Sequence, residues 1–180
     1  MIYLYKIIYV IEIESLRDEI FNQHQFIMAN TYSQIYIQIV FAVKGRQNLI
    51  SSKWKDELFK YITGIVTNEG QKLIAVNGMP DHVHILIGLK PNKALSDLVR
   101  DIKANSSRFI NEKAWISVKF EWQTGFGAFT YSHSQLINVI NYIQNQEEHH
   151  KSKTFKEEYV EFLKLYNVDF KNEYLFDDVN

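Results

Sequence analysis

Hydrophobic side chains recur at strand-like and helix-like intervals from about residue 31 onward. Residues 31–44 are rich in Tyr, Ile, Val and Phe, the composition of a β-strand. A helical pattern follows and runs to about Asn68. Residues 71–78 and 82–89 then predict two strands joined by a turn-like junction at Met79-Pro80-Asp81.

The second half of the chain continues this series. A helical pattern covers residues 94–113, a strand interrupted by glycines lies within 118–131, and helical patterns cover 133–151 and 154–166. The order β-α-β-β-α-β followed by helices predicts an α+β protein. Its expected architecture is a ferredoxin-like (split βαβ) antiparallel sheet with helices on one face.

The first 27 residues differ in character from the rest. They start apolar and become acidic, and they lack the basic start and small-residue cleavage site of a signal peptide. Because Met28 would make a natural start of its own, we expect residues 1–27 to be an N-terminal extension or the product of an upstream start. An extra strand or helix packed on the domain is the alternative. Residues 28–180 are then a single domain.

Composition excludes several classes of function. The chain has 180 residues, of which 46% are hydrophobic, so it is long enough for one domain with a core. It has no cysteine, which excludes disulfides, thiolate zinc sites and cysteine nucleophiles and fits the reducing cytoplasm. No apolar run has the length of a membrane span. The sequence also contains no glycine-rich phosphate loop, the motif that would indicate a nucleotide cofactor.

The His82-Val83-His84 sequence is the first candidate for chemistry. Side chains alternate between the faces of a strand, so both imidazoles point one way while Val83, Ile85 and Ile87 point the other. Two imidazoles on one face could share a divalent ion. The commoner interpretation is the polar side of a half-buried strand. Asp81 could orient a histidine, although closing the turn is the more ordinary role.

Tyr142 and Gln146 are the second candidate, because residues four apart on a helix share a face. A divalent ion on His82, His84 and Gln146 could neutralise a phosphodiester while Tyr142 attacks phosphorus. An amide oxygen beside imidazoles suits Mg²⁺ or Mn²⁺. An ordinary boundary tyrosine is the alternative for Tyr142. The neighbouring His149-His150 pair diverges by about 100° on a helix and is poorly placed to chelate jointly.

These motifs resemble a known family. His82-Val83-His84 resembles the paired-histidine motif of the HUH endonucleases. Tyr142-x-x-x-Gln146 resembles the nucleophile and third metal ligand of their single-tyrosine transposases, which include the REP-associated tyrosine transposases. Further segments that look familial include Tyr32-Ser33-Gln34-Ile35-Tyr36, Phe41-Ala42-Val43-Lys44-Gly45-Arg46, Leu95-Ser96-Asp97-Leu98-Val99-Arg100-Asp101-Ile102-Lys103, Trp122-Gln123-x-Gly125-Phe126-Gly127-Ala128-Phe129 and Asn145-Gln146-x-Glu148-His149-His150-Lys151.

The resemblance implies a metal-dependent transposase that cleaves and rejoins single-stranded DNA at insertion-sequence ends. It implies that His82, His84 and Gln146 bind Mg²⁺ or Mn²⁺ and that Tyr142, on a C-terminal helix, forms a 5′-phosphotyrosine. It also implies recognition of DNA hairpins and a homodimer in which the tyrosine helix of one subunit completes the active site of the other.

DNA contacts are predicted from basic residues, although the net charge of the chain is only −1. The candidates close the first strand or lie on the second helix: Lys44, Arg46, Arg100, Lys103 and Arg108. A solvated helix face is the alternative. Two rival functions remain open at this point. A non-catalytic single-stranded nucleic-acid-binding module would need neither Tyr142 nor metal, and a metal phosphodiesterase that uses water would need no Tyr142.

Overall fold

The computed structural model describes residues 32–171 and Leu175. Among these residues, four strands and five α-helices follow one another in the predicted order, with two of the helices in place of the single one predicted over 133–151. They are β1 (Ile35–Ala42), α1 (Lys55–Asn68), β2 (Lys72–Met79), β3 (His82–Leu89), α2 (Leu95–Lys113), β4 (Gly127–Tyr131), α3 (Leu136–Gln144), α4 (Gln146–His149) and α5 (Phe155–Leu165). The predicted extension, residues 1–27, lies outside the described residues.

The strands form one antiparallel sheet in the order β2-β3-β1-β4. This is the strand order of a ferredoxin-like sheet, with β1 and β3 at its centre, and it confirms the predicted fold. Within the described part of the chain, every helix is too short or too polar to cross a lipid bilayer.

One face of the sheet carries the main apolar core. Val83, Ile85 and Ile87 of β3 pack there with aliphatic and aromatic side chains of β1, α1 and α2. Leu86 of β3 lies on the opposite face, in a smaller cluster with Ile143 of α3. α1 and α2 therefore cover the first face, as predicted, whereas the helices that follow the sheet in sequence cover the second face, so the expectation that only one face carries helices is wrong.

The hairpin between β2 and β3 sets the position of the two histidines. A β-carbon on Gly78 would lie 2.3 Å from the carbonyl oxygen of His82, so only glycine fits at this point. On its other side β3 pairs with β1, where His82 is opposite Ala42 and His84 is opposite Val40. Both histidines thus lie in the middle of the sheet and point toward α3, α4 and α5.

The helix predicted over residues 133–151 is interrupted. α3 ends at Gln144, and Asn145 has non-helical backbone angles (φ −97°, ψ 27°) before α4 begins. Asn77 of β2 donates hydrogen bonds to the carbonyl oxygens of Ile143 and Gln144, at 2.9 and 3.0 Å. These bonds satisfy carbonyl groups that a continuous helix would use internally. A side chain from a distant strand therefore causes a break that helical periodicity does not predict.

Candidate active site

His82 and His84 are fully buried, with no exposed surface, beneath the C-terminal helices. The expected alternation is confirmed, because Val83, Ile85 and Ile87 all belong to the apolar core on the other face. The imidazoles do not form the solvated side of a half-buried strand. They lie in a compact group, which we call the polar cluster, formed by His82, His84, Gln146, His150 and Glu158.

The polar cluster has the dimensions of a metal site. One ligand-type atom from each of His82, His84, His150 and Glu158 lies within 4.8 Å of the others. The side-chain oxygen of Gln146 is 3.5 Å from Nε2 of His82 and 3.1 Å from Nε2 of His150. Side chains from β3, α4 and α5 therefore converge on one small volume, together with His150, which directly follows α4.

Two of the imidazoles, those of His82 and His150, make hydrogen bonds through Nδ1 on the side away from this volume. These bonds direct the Nε2 lone pair of each ring into the volume. His82 Nδ1 lies 2.7 Å from Oδ1 of Asp81, and His150 Nδ1 lies 2.8 Å from the carbonyl oxygen of Lys153. Because both oxygens only accept, each Nδ1 carries the proton. Burial lowers the pKa of both histidines, which keeps them neutral and leaves Nε2 with a lone pair.

Asp81 combines the two roles that its sequence position suggested. Its carboxylate accepts from His82, and its backbone oxygen accepts from the amide of Val43, at 2.7 Å. Burial would raise the pKa of Asp81, but its hydrogen bonds, above all the one from His82, lower it below the usual value. Asp81 therefore stays ionised and fixes the orientation of His82.

His84 is held from the outside by Gln38. Its Nδ1 lies 2.9 Å from Nε2 of Gln38, whose Oε1 accepts from the hydroxyl of Tyr131, also at 2.9 Å. The oxygen and nitrogen of an amide side chain are nearly isosteric. Rotating the amide of Gln38 by 180° would let its oxygen accept from Nδ1 of His84, and Nε2 of His84 could then bind a metal ion. That Nε2 atom is buried and has no hydrogen-bond partner among the described residues. Burial lowers the pKa of His84 to about 3.

The donor set of the polar cluster fits a hard divalent cation. Nε2 of His82 and of His150 both face the oxygen of Gln146, so acceptors meet acceptors with no proton between them. Such an arrangement is costly when nothing positive lies at its centre, and a cation would satisfy it. The mixture of imidazole nitrogens with amide and carboxylate oxygens is compatible with Mg²⁺ or Mn²⁺.

Tyr142 lies at the edge of the polar cluster. It belongs to α3 and is half-buried, with its ring centroid 5.9 Å from that of His84 and 5.0 Å from that of His149. Its hydroxyl donates a hydrogen bond to Oε1 of Glu158. Burial raises the pKa of Glu158 to about 7. The predicted nucleophile and the predicted metal ligands are thus brought together in one chain.

Next to the polar cluster is a cleft of about 790 Å³, which we call the basic cleft. Arg46, Lys151 and Lys153 line it, and Asp81 and His150 form the wall that it shares with the cluster. Of the five predicted DNA contacts, Arg46 is therefore the one that lies beside the candidate active site.

The other four predicted DNA contacts, like Arg46, interact with groups of their own chain, and for all five a role in DNA binding stays a prediction. Lys44 pairs with Glu121 at 2.8 Å, Arg100 with Asp97 at 2.8 Å, and Arg108 bonds Asn105 at 2.6 Å. Lys103 donates to the carbonyl oxygens of Gln123 and Gly125, at 2.5 and 2.7 Å. Its half-buried amine holds the loop before β4.

His150 and Glu158 are the members of the polar cluster that sequence reasoning missed. The expected divergence of His149 and His150 agrees with the structure, because only His150, which follows the end of α4, belongs to the metal-sized group. The sequence pattern did not reveal that this histidine reaches His82 and His84. Glu158 is one of several acidic residues on α5, and nothing in their spacing distinguishes it. Only its burial does, with 2% of its surface exposed.

Comparisons with known proteins agree with this geometry. The sequence model described as "Transposase IS200 like" matches residues 31–146, more than half of the chain. The ISDra2 transposase TnpA of Deinococcus radiodurans is 26% identical over 122 residues, which cover 64% of this chain and 86% of that protein.

Two solved structures are similar to the chain. A Deinococcus radiodurans crystal structure assigned as a transposase has 25% identity and a TM-score of 0.53, covering 65% of this chain and 94% of its own. A REP-associated tyrosine transposase bound to a REP hairpin shares the fold, at 15% identity and a TM-score of 0.52, covering 67% of this chain and 72% of its own. The resemblance inferred from the motifs is confirmed, and the chain belongs to the IS200-like transposase family.

Proposed function

We propose that this transposase cleaves and rejoins single-stranded DNA at insertion-sequence ends in the cytoplasm, with Tyr142 as nucleophile and with Mg²⁺ or Mn²⁺ held by His82, His84 and Gln146. Residues 28–180 would form its catalytic domain. One observation carries the proposal: the hydroxyl of Tyr142 and the imidazoles of His82 and His84 meet at one buried carboxylate, that of Glu158.

The reaction needs a tyrosine that is both oriented and helped. A free phenol has a pKa of about 10, so a tyrosine without help is a weak nucleophile at neutral pH. Its hydrogen bond to Glu158 fixes the hydroxyl at the edge of the polar cluster. A bound divalent ion would hold an oxygen of the scissile phosphate and neutralise the charge that develops there.

The bonds exchanged in this reaction balance without a cofactor that carries energy. Oη of Tyr142 loses its proton to solvent and forms a bond to phosphorus, the bond from phosphorus to the 3′-oxygen breaks, and that oxygen leaves as a hydroxyl after taking up a proton from solvent. The downstream strand stays attached through its 5′-phosphate. Attack by a 3′-hydroxyl on the phosphotyrosine reverses these steps, so rejoining requires no nucleoside triphosphate.

The basic cleft is the proposed path of the strand beside the polar cluster. Lys151 and Lys153 pair there with Glu148 and Glu161, both at 2.5 Å. Three of these four side chains are strongly exposed, and such ion pairs contribute little to stability. Phosphates can therefore replace the carboxylates at small cost. Arg46, at the same cleft, adds a guanidinium that suits phosphate geometry.

We further propose that the DNA substrate carries hairpins and that the protein acts as a homodimer. The hairpin is supported by the REP hairpin bound to a structural relative, and the dimer by family membership. The family resemblance implies a tyrosine supplied by the partner, whereas here Tyr142 lies next to His84 of its own chain. Mixing Tyr142→Phe protein with His84→Ala protein tests this point. Restored activity would show a shared site, and no activity in the mixture would show that each chain uses its own tyrosine.

A denaturing gel tests the proposed chemistry. Full-length protein with Mn²⁺ and single-stranded DNA from the flanks of the gene should give a covalent protein–DNA adduct. The adduct should disappear in Tyr142→Phe and with chelator. Tyr61→Phe is the matched control, because Tyr61 stacks on Phe109 of α2, in the helical layer on the opposite face of the sheet.

Two outcomes would replace the proposal. Cleavage that persists in Tyr142→Phe without an adduct would indicate a phosphodiesterase that uses water. Binding of the hairpin strand without cleavage in either metal would indicate a nucleic-acid-binding module that has no catalytic role.

A further inference from the structure

Glu158 is the buried acid of the polar cluster, and it comes from a helix that neither metal motif includes. α5 begins with a capping box in which Thr154 and Glu157 satisfy each other's backbone amides. Its apolar side, which includes Phe155 and Leu163, packs against β1 and β4. This packing holds Glu158 at 2% exposure with its carboxylate directed into the cluster.

One carboxylate oxygen of Glu158 faces the nucleophile. Oε1 accepts from the hydroxyl of Tyr142 and lies 3.3 Å from the amide nitrogen of Gln146. Nε2 of His149 is 3.6 Å from the same oxygen. Donors from α3 and α4 therefore fix Oε1 on the side of the cluster where the attacking oxygen lies.

The other oxygen of Glu158 faces the imidazoles. Oε2 lies 3.4 Å from Nε2 of His84, 3.4 Å from Nε2 of His150 and 3.7 Å from Nε2 of His82. It is buried and has no hydrogen-bond partner among the described residues. A buried carboxylate oxygen in that position is costly unless a positive charge lies beside it.

We propose that Glu158 is a further ligand of the divalent ion, binding it through Oε2 while Oε1 holds the hydroxyl of Tyr142. This inference rests on the proposed function and deepens it, since one rigid carboxylate then couples the position of the nucleophile to the presence of the ion. A negatively charged oxygen also strengthens the preference for Mg²⁺ or Mn²⁺ over softer cations. Without the ion, the same carboxylate would repel an incoming phosphate.

Calorimetric titration of the DNA-free, full-length protein with Mn²⁺ tests the ligand role without any activity measurement. Glu158→Gln should weaken Mn²⁺ binding roughly tenfold or more, because it removes the charge and keeps the shape. Glu161→Gln is the matched control, since Glu161 lies one turn later on α5, is exposed, and pairs with Lys153. It should bind Mn²⁺ within about twofold of wild type. Equal affinities for Glu158→Gln and wild type would overturn the inference.

A second measurement tests the coupling to Tyr142. At Mn²⁺ concentrations that saturate Glu158→Gln, adduct formation should stay roughly tenfold slower or worse, because the hydroxyl has lost its charged acceptor. Full recovery of the rate would show that Glu158 acts on the ion alone and would overturn the coupling. Glu158→Asp provides a second variant should the Gln variant fold poorly. It retains the charge on a shorter side chain and should bind Mn²⁺ more tightly than Glu158→Gln.

The inference and the proposed function fail in different ways. If Tyr142→Phe still forms the adduct, the proposed nucleophile is wrong, while the loss of Mn²⁺ affinity in Glu158→Gln would still establish the ligand. If wild type forms the adduct and Glu158→Gln keeps both its Mn²⁺ affinity and its rate, only the role of Glu158 is wrong.

Discussion

Adjacent residues of β3 lie in two environments that share burial and little else. Ile85 has no exposed surface and packs among the side chains of the apolar core beneath α1 and α2. His84 has no exposed surface either, but it lies against Gln38, Tyr142 and Glu158 on the opposite face. One face is held by hydrocarbon contacts, whereas the other buries polar atoms, some of which have no hydrogen-bond partner among the described residues.

The difference between the faces separates stability from chemistry. Apolar burial stabilises the fold by about 25 cal/mol per Å² removed from water. A buried polar atom without a partner opposes folding, as Nε2 of His84 and Oε2 of Glu158 do. Such atoms persist where they have a function, so the face under α3, α4 and α5 is the place to look for ligands.

The largest expected effect breaks the apolar face. Ile85→Ala should lower the free energy of unfolding by about 2–5 kcal/mol, because it leaves a cavity in a packed core. In the presence of chelator, His84→Ala should lower the free energy of unfolding by about 1 kcal/mol less than Ile85→Ala does, or by a still smaller amount. The reason is that the imidazole removed is a buried polar group with an unsatisfied nitrogen. Urea denaturation of the two variants gives both values. Equal losses would show that the polar face also contributes to stability through packing.

How far the sequence predicted these two faces depends on the range of the interactions. The alternation of His82 and His84 with Ile85 follows from local geometry, because a strand has a period of two. The break at Asn145 depends on the hydrogen bond from Asn77 to Ile143, two residues that are 66 positions apart. A pattern read over neighbouring residues cannot predict such a break. The burial of Glu158 cannot be predicted from the sequence pattern either, since it results from the packing of all of α5.

A smaller effect is expected at the outer rim of the polar cluster. Asp81→Ala removes the acceptor that fixes His82, and loss of such a partner typically costs about 10–100-fold in metal affinity. Titration with Mn²⁺ measures the change. Asp97→Ala is the control, because Asp97 is exposed on α2 and pairs with Arg100. An unchanged Mn²⁺ affinity in Asp81→Ala would mean that the hairpin alone positions His82.

The smallest expected effect distinguishes the two faces as DNA surfaces. Arg46 lines the basic cleft beside His150, whereas Arg108 lies on α2, which packs on the other face, and it bonds Asn105 and approaches Glu112 at 3.9 Å. For single strands, each neutralised phosphate contributes about 0.7 to the slope of log K against log salt concentration. Arg46→Ala should therefore reduce the slope by about that amount for a flank-derived strand, and Arg108→Ala should leave it unchanged. A loss of slope in Arg108→Ala alone would place the strand across the helical layer and separate DNA binding from the polar cluster. The expected result would place DNA binding next to the polar cluster, because the basic cleft that binds phosphate lies beside the histidines.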